Sequence, residues 1–256
     1  MNLPDPNRDY VAQNLESWTN NAGFFAESAD REWSGDPTWG CFLVPESEVG
    51  MIPADISGLD VIELGCGTAY VSAWLAQRGA KPVGIDLTPA QLETARQMQD
   101  KYDIHFPLFE GNAEATPFDD ASADFVISEY GASIWCDPYK WIPEAWRLLR
   151  PGGRLHFLRS TPLTMACTTD DEDGSVVREL QRPMFGLFRL DWGKDGIEFN
   201  LPHGKMIELL VETGFVIDGL VEIQVPADAT TRYPYITAEW ASQWPFEEVW
   251  KVHKPL

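Results

Sequence analysis

The stretch VIELGCGTAYVSAWLAQRGAKPVGIDL, Val61 to Leu87, decides the fold. VIEL is apolar around one acid and reads as a buried strand, and Gly65-Cys66-Gly67 turns the chain. Val71, Trp74, Leu75 and Arg78 set a helical stripe that stops at Gly79, and PVGIDL is a second buried strand ending on an acid. In a strand–turn–helix–strand unit the ligand sits at the carboxyl ends of the strands. A dinucleotide pyrophosphate needs Gly-x-Gly-x-x-Gly, and Tyr70 occupies the third glycine position, which argues against a nicotinamide-dependent oxidoreductase. A triphosphate loop needs Gly-Lys-Ser/Thr, which is absent. What remains is a turn that permits close backbone approach without a phosphate cradle. Asp86, 19 residues past Gly67, is placed to accept from both hydroxyls of a ribose. The pair suits a nucleoside with a short amino-acid tail.

Working outward, the alternation continues. Thr88 and Pro89 open a helix with Leu92, Ala95 and Met98 on its buried face. IHFPLFEG is a third strand weakened by Pro107, and ADFVIS a fourth. Ile142, Ala145, Trp146 and Leu149 mark a helix that Pro151-Gly152-Gly153 is expected to stop, before a fifth strand, RLHFL. FVIDGLVEIQ and EEVWKVHK supply two more strands after a helix carrying Met206, Leu209, Leu210 and Thr213 and closed by Gly214. The pattern predicts an α/β fold: a three-layer, doubly wound Rossmann-like sheet, mostly parallel with a final antiparallel strand.

Four regions follow. Residues 1–55 form an N-terminal helical lid, with a helix on Val11, Leu15 and Trp18 and then loop and short helix through 19–55. Residues 56–160 are the ligand-binding core. Residues 161–201 form an insertion after strand five that caps the acceptor pocket. It holds the acidic run DDED at 170–173, a helix candidate at 175–182 and a hairpin in FRLDWGKDGIEF, with Phe185, Phe188, Trp192 and Phe199 as an apolar lid. Residues 202–256 complete the core.

The 256 residues are enough for one large domain. The formal net charge, 19 − 40 = −21, repels phosphate backbones and anionic membranes, so neither a nucleic acid nor a membrane is expected as a partner. The four cysteines form no Cys-x-x-Cys pair and share no metal-ligand spacing with the four histidines. They read as reduced thiols of a cytoplasmic protein without a metal. MNLPDPNRDY lacks the pattern of a secretory leader, and no apolar run approaches the ~20 residues of a membrane span. A monomer or homodimer is expected.

ELGCGTA followed by GIDLT resembles motif I and the acidic loop of the S-adenosylmethionine-dependent methyltransferases with the seven-stranded Rossmann-like (class I) fold. EGNAEATPFDDASADFVIS and LLRPGGRLHF resemble that family's next two segments, in order and at the usual spacing across 56–160. The resemblance implies S-adenosylmethionine as cofactor. It places Gly65, Cys66 and Gly67 under the methionine part, Asp86 on the ribose hydroxyls and Leu87 against the adenine. Asn112, where the family often has Asp, would meet the adenine N6 amino group, and the Ala113 backbone a ring nitrogen, with Glu114 alongside. Ser128, Glu129 and Tyr130 would line the methionine end. Glu63 either touches ligand or braces the turn. Trp39 is a candidate for cation–π contact with the sulfonium, against the plain alternative of core packing.

Methyl transfer from a sulfonium is an in-line displacement in which positioning supplies most of the rate, and a base is needed only when the acceptor carries a proton at neutral pH. Tyr130 and Glu129 qualify as bases by topology, and His203 is a third candidate that could instead cap its helix. A small-molecule acceptor fits best. A protein methyltransferase and a non-catalytic binder of S-adenosylmethionine or S-adenosylhomocysteine are the alternatives.

Overall fold

The computed structural model describes residues 9–170 and 174–256. Most of the MNLPDPNRDY and DDED stretches, on which the leader and acidic-loop readings rest, lies outside the described residues. The described residues open with α1 (Tyr10–Ser34), the short ladder β1 (Thr38–Trp39) and β2 (Val44–Pro45), and α2 (Glu46–Val49). Then come β3 (Asp60–Leu64), α3 (Tyr70–Gln77), β4 (Lys81–Asp86), α4 (Pro89–Tyr102), β5 (Leu108–Glu110) and β6 (Ala123–Glu129). The second half holds α5 (Gly131–Trp135), α6 (Pro138–Leu148), β7 (Leu149–Ser160), α7 (Pro162–Cys167), β8 (Arg189–Asp191) and β9 (Ile197–Phe199). It ends with α8 (His203–Thr213), β10 (Val216–Glu222), α9 (Ala238–Ala241) and β11 (Glu247–His253).

Seven strands form one sheet in the order β10-β11-β7-β6-β3-β4-β5. β3 to β7 run parallel, and β11 enters antiparallel between β7 and β10. Alternate residues sort the core to the two faces. Val61, Phe125, Ile127, Leu158 and Val249 pack under α3 and the 39–56 segment. Ile62, Val126, Leu155, Phe157 and Trp250 pack under α6 and α8. This is the doubly wound Rossmann-like sheet that the alternation predicts. No helix among the described residues is long and apolar enough to cross a membrane.

Four local expectations need correction. The N-terminal helix does not stop near Trp18 but runs 25 residues to Ser34. Its buried positions include Gln13, Asn14, Ser17 and Ser28, polar side chains that apolar periodicity cannot detect. Two of them serve the insertion: Gln13 Nε2 donates to Gly193 O, Asn14 Nδ2 donates to the Trp135 and Ile197 carbonyls, and Asn14 Oδ1 accepts from Ile197 N–H. The Pro151-Gly152-Gly153 sequence does not stop α6; the helix ends at Leu148, and the three residues lie inside β7. The register shift between Ala123 and Phe125 on β6 absorbs them. Residues 175–182 are not helical, and the third strand shortens to Leu108–Glu110 after Pro107. The hairpin does form, as β8 paired with β9.

Candidate active site

The Gly65 turn is built by close packing. Gly65 has φ +74°, and a Cβ there would lie 2.6 Å from Ala132 N and Gly131 Cα. Gly131 returns the constraint, since its own Cβ would lie 2.1 Å from Gly65 O. The turn after β3 and the start of α5 can touch only because both residues lack side chains. Gly65 N–H and Cys66 N–H both donate to Ile85 O, which ties the turn to β4. Gly67 also has positive φ, but open space lies where its Cβ would project. Glu63 accepts from Ser72 N–H and Ser72 Oγ–H, fixing the first turn of α3. The expected bracing role is therefore visible, and the same residue also lines the cavity.

A cavity of about 430 Å³ opens above these strand ends, within the range of about 300–1,000 Å³ usual for small-ligand sites. Gly65 to Thr68, Asp86 to Thr88, Gly111 to Glu114 and Glu129 to Ala132 line it. Asp86 Oδ2 accepts from Gly67 N–H and its Oδ1 from Thr88 N–H, both at 2.8 Å. The carboxylate is thus held rigidly at the end of β4, and each oxygen keeps a lone pair for a further donor. Asn112 Oδ1 accepts from Glu114 N–H, and Glu114 takes the Tyr10 hydroxyl and Asp137 N–H. Glu114 therefore ties the start of α1 to the start of α6.

Tyr70 donates to Glu129 Oε2, and Gly40 N–H donates to Oε1 at 3.2 Å. Glu32, Glu63, Asp86, Glu114 and Glu129 line the cavity against two arginines, Arg31 and Arg232. The interior is acidic and suits a ligand bearing positive charge. Burial pushes Glu63 up to about 8 and Glu129 up to about 7, and it raises Asp86 as well.

Three expected site residues lie elsewhere. Trp39 is fully buried, stands edge-on to Trp74 and donates its indole N–H to Glu46, so it is a core tryptophan and does not line the cavity. Ser128 is fully buried inside β6, donating to Leu64 O and accepting from Ser133 N–H; it braces the sheet end and makes no wall. His203 sits off the cavity, its Nε2 at 2.5 Å from Glu248. Glu248 is completely buried and also takes Arg159 and the Trp250 indole, so His203 completes the partners of a buried carboxylate. Pro202, with no side-chain cap bond, starts α8 in its place.

The insertion is not the cap. None of the described residues of 161–201 lines the cavity. Phe185 is 98% exposed, while Phe188 and Phe199 pack with Tyr10 and Tyr139 behind α1. The cover is instead α1, through Tyr10, Asn14, Trp18 and Phe25, together with Cys41, Leu43 and the loop Thr230 to Tyr233. Arg232 joins these parts, lying 3.6 Å over the Phe24 ring and donating to Phe24 O. Tyr70, Cys41 and the 230–233 loop were missed by sequence reasoning. Tyr70 carried a signal, as the bulky residue in the third glycine position; the loop carried none.

The family pattern of the methyltransferase domain matches residues 62–157. Residues 62–157 are thus similar to a methyltransferase domain. An uncharacterized methyltransferase of Mycobacterium bovis is 36% identical over 136 residues, 53% of this chain and 50% of that protein. The malonyl-[acyl-carrier protein] O-methyltransferase of Serratia marcescens is 36% identical over 101 residues, 39% of this chain and 38% of that protein. The chain thus spans half or less of the length of these relatives. The S-adenosylmethionine-dependent methyltransferase of Mesorhizobium loti shares the fold, with a TM-score of 0.64 at 19% identity, over 80% of this chain and 94% of that one. The floor fits the family's cofactor: an open glycine at residue 67, a rigid carboxylate at the end of β4, and buried acids for a cationic group.

Proposed function

We propose that the protein transfers the methyl group of S-adenosylmethionine to a small-molecule acceptor held under α1 and the 230–233 loop. The observation that carries the reading is one cavity lined both by the Gly65 turn with Asp86 and by Glu129 and Tyr130. Asp86, Leu87, Asn112 and Ala113 suit an adenosyl group. Glu129 and Tyr130, beneath an aromatic and aliphatic cover, suit an acceptor. S-adenosylmethionine would supply an electrophilic methyl group on a sulfonium. The chain's own part is to hold, orient and exclude water. Asp86 accepts from the ribose hydroxyls, and the Gly65–Gly67 backbone lies against the amino-acid tail. A bound positive charge draws Glu63, Glu129 and Glu32, raised by burial, toward their ionised forms and so is offset, and Tyr130 faces the acceptor.

The cover supports a small acceptor over a protein chain, because α1 and the 230–233 loop meet over the cavity through Arg232. The Serratia relative's acceptor, a malonyl group on a carrier protein, supports a short polar acid derivative as one class to try. Four free thiols support a reducing, cytoplasmic setting. A monomer or homodimer remains the proposed assembly. The test is release of S-adenosylhomocysteine from S-adenosylmethionine against a panel of metabolite acids, phenols and amines. Acceptor-dependent release is the expected result. Tight cofactor binding with no release across the panel and across acyl-carrier substrates contradicts the enzyme reading and leaves a binding protein.

A further inference from the structure

The Trp39-Gly40-Cys41 turn is wrapped around a carboxyl group that does not line the cavity, that of Glu247 at the start of β11. Glu247 is completely buried. Its Oε1 accepts from Cys41 N–H at 2.6 Å and from the Tyr130 hydroxyl. Its Oε2 is buried without a hydrogen-bond partner. The turn leaves no room for anything else: a Cβ on Gly40, at φ +71°, would lie 2.2–2.4 Å from the carboxyl atoms. Tyr130 holds a left-handed backbone, φ 56°, which aims its ring from the end of β6 toward β11. Tyr130 and Cys41 line the cavity, and Glu247 stands directly behind them. A buried, half-satisfied carboxyl is costly, since an unpaired buried polar atom loses about 1–3 kcal/mol. Plain packing does not call for one behind a cavity wall.

We propose that Glu247 is a positioning and proton-accepting residue that acts through Tyr130: as the acceptor gives its proton to Tyr130 Oη, Tyr130 passes its own proton to Glu247 Oε1. This deepens the methyltransferase reading and rests on Tyr130 facing the acceptor. In the step, the acceptor X–H bond breaks and the X–CH3 bond forms. The proton ends on Glu247, whose lost negative charge balances the positive charge lost by the sulfonium. The proton leaves by the same phenol after the product departs. Burial beside Cys41 and Glu247 raises the Tyr130 phenol well above its ordinary range, so Tyr130 stays neutral and can take a proton only by giving one up. Burial pushes Glu247 up to about 7, which makes it a better proton acceptor than an ordinary carboxylate. The titratable groups facing it are Tyr130 at the end of β6, Cys41 in the β1–β2 turn and Tyr235 in the loop before α9, with Glu129 adding negative charge nearby.

The test uses the full chain with carboxyl-13C glutamate, Glu247 being assigned from its loss in Glu247→Gln. The Glu247 carboxyl is expected to titrate near neutrality. Tyr130→Phe removes a donor to the ionised form, so the midpoint should rise by about one pH unit. Titration below pH ~5, as for an exposed carboxylate, or no response to Tyr130→Phe, overturns the coupling. Glu247→Gln keeps an oxygen for Cys41 N–H and Tyr130, so it tests proton acceptance apart from folding. With an acceptor found in the panel above, its kcat should fall by about 100-fold or more, with KM and S-adenosylhomocysteine affinity unchanged. Wild-type kcat in this variant overturns the proton-accepting role. Failure of the wild type to bind S-adenosylhomocysteine would instead sink the functional reading itself.

Discussion

Replacing Asp86 with Asn separates holding the cofactor from holding the fold. In the structure each carboxylate oxygen takes one backbone N–H at 2.8 Å, from Gly67 and from Thr88. The amide turns one oxygen into a donor, and that face then meets a backbone donor. The lost bond and the unpaired N–H cost about 1–3 kcal/mol. Against this, Asp86 is half-buried, and loss of hydration raises its pKa, so the ionised carboxylate already carries a desolvation penalty that the neutral amide relieves. The two effects have similar size and opposite sign, so the unfolding temperature should move little. Binding has no such compensation. A ribose hydroxyl loses a charged acceptor, worth about 1.5–3 kcal/mol or roughly 10- to 150-fold in affinity. Calorimetry with S-adenosylhomocysteine on Asp86→Asn and wild type reads the ratio, and thermal unfolding reads stability. An affinity equal to wild type in a folded variant would refute the ribose role. A variant that loses stability but not affinity would make Asp86 a brace of the turn alone.

Other outcomes follow from the same geometry. Trp39→Phe should destabilise the fold by about 1–3 kcal/mol, because Glu46 loses a buried donor, and should leave S-adenosylhomocysteine affinity unchanged; weakened binding at full stability would return Trp39 to the site. Asn14→Ala removes three hydrogen bonds between α1 and its neighbours and should speed amide exchange in both α1 and β8–β9; exchange confined to the hairpin would show that the insertion does not brace the lid. Glu63, Glu129, Glu198 and Glu247 are all raised by burial, to about 8 for Glu63 and about 7 for the others. A carboxyl whose folded pKa lies above its unfolded one stabilises the fold fully at low pH and loses that contribution as pH rises through the folded value. The ligand-free protein should therefore melt at lower temperature as pH rises from 5 to 8, each such carboxyl losing ~1.4 kcal/mol for every pH unit that separates its folded and unfolded pKa values. A melting temperature that climbs over that window contradicts the buried-acid account.

The parts legible in the sequence were those with local causes. A glycine turn between two buried strands, and an acid at the end of the second, announce themselves within 27 residues, and the floor of the cavity was read from them. The cover was not legible. The buried face of α1 mixes Gln13, Asn14, Ser17 and Ser28 with Ala22, Ala29 and Trp33, so an apolar count does not trace its length. The aromatic insertion looks like a lid by composition, yet Phe188 and Phe199 pack behind α1 and Phe185 is exposed. His203 shared a composition signal with catalytic histidines, but its partner Glu248 lies 45 residues away. Glu247 meets Cys41 across 206 residues, a pairing that only the closed sheet creates.

The central claim is that the turn after β3 and the carboxylate of Asp86 hold an adenosyl group with an amino-acid tail. Isothermal titration of the wild-type chain with S-adenosylhomocysteine, with NAD as control, tests it most directly. The account predicts saturable binding at one site per chain for the first ligand and no heat for the second. No heat with S-adenosylhomocysteine, or equal binding of NAD, would contradict it.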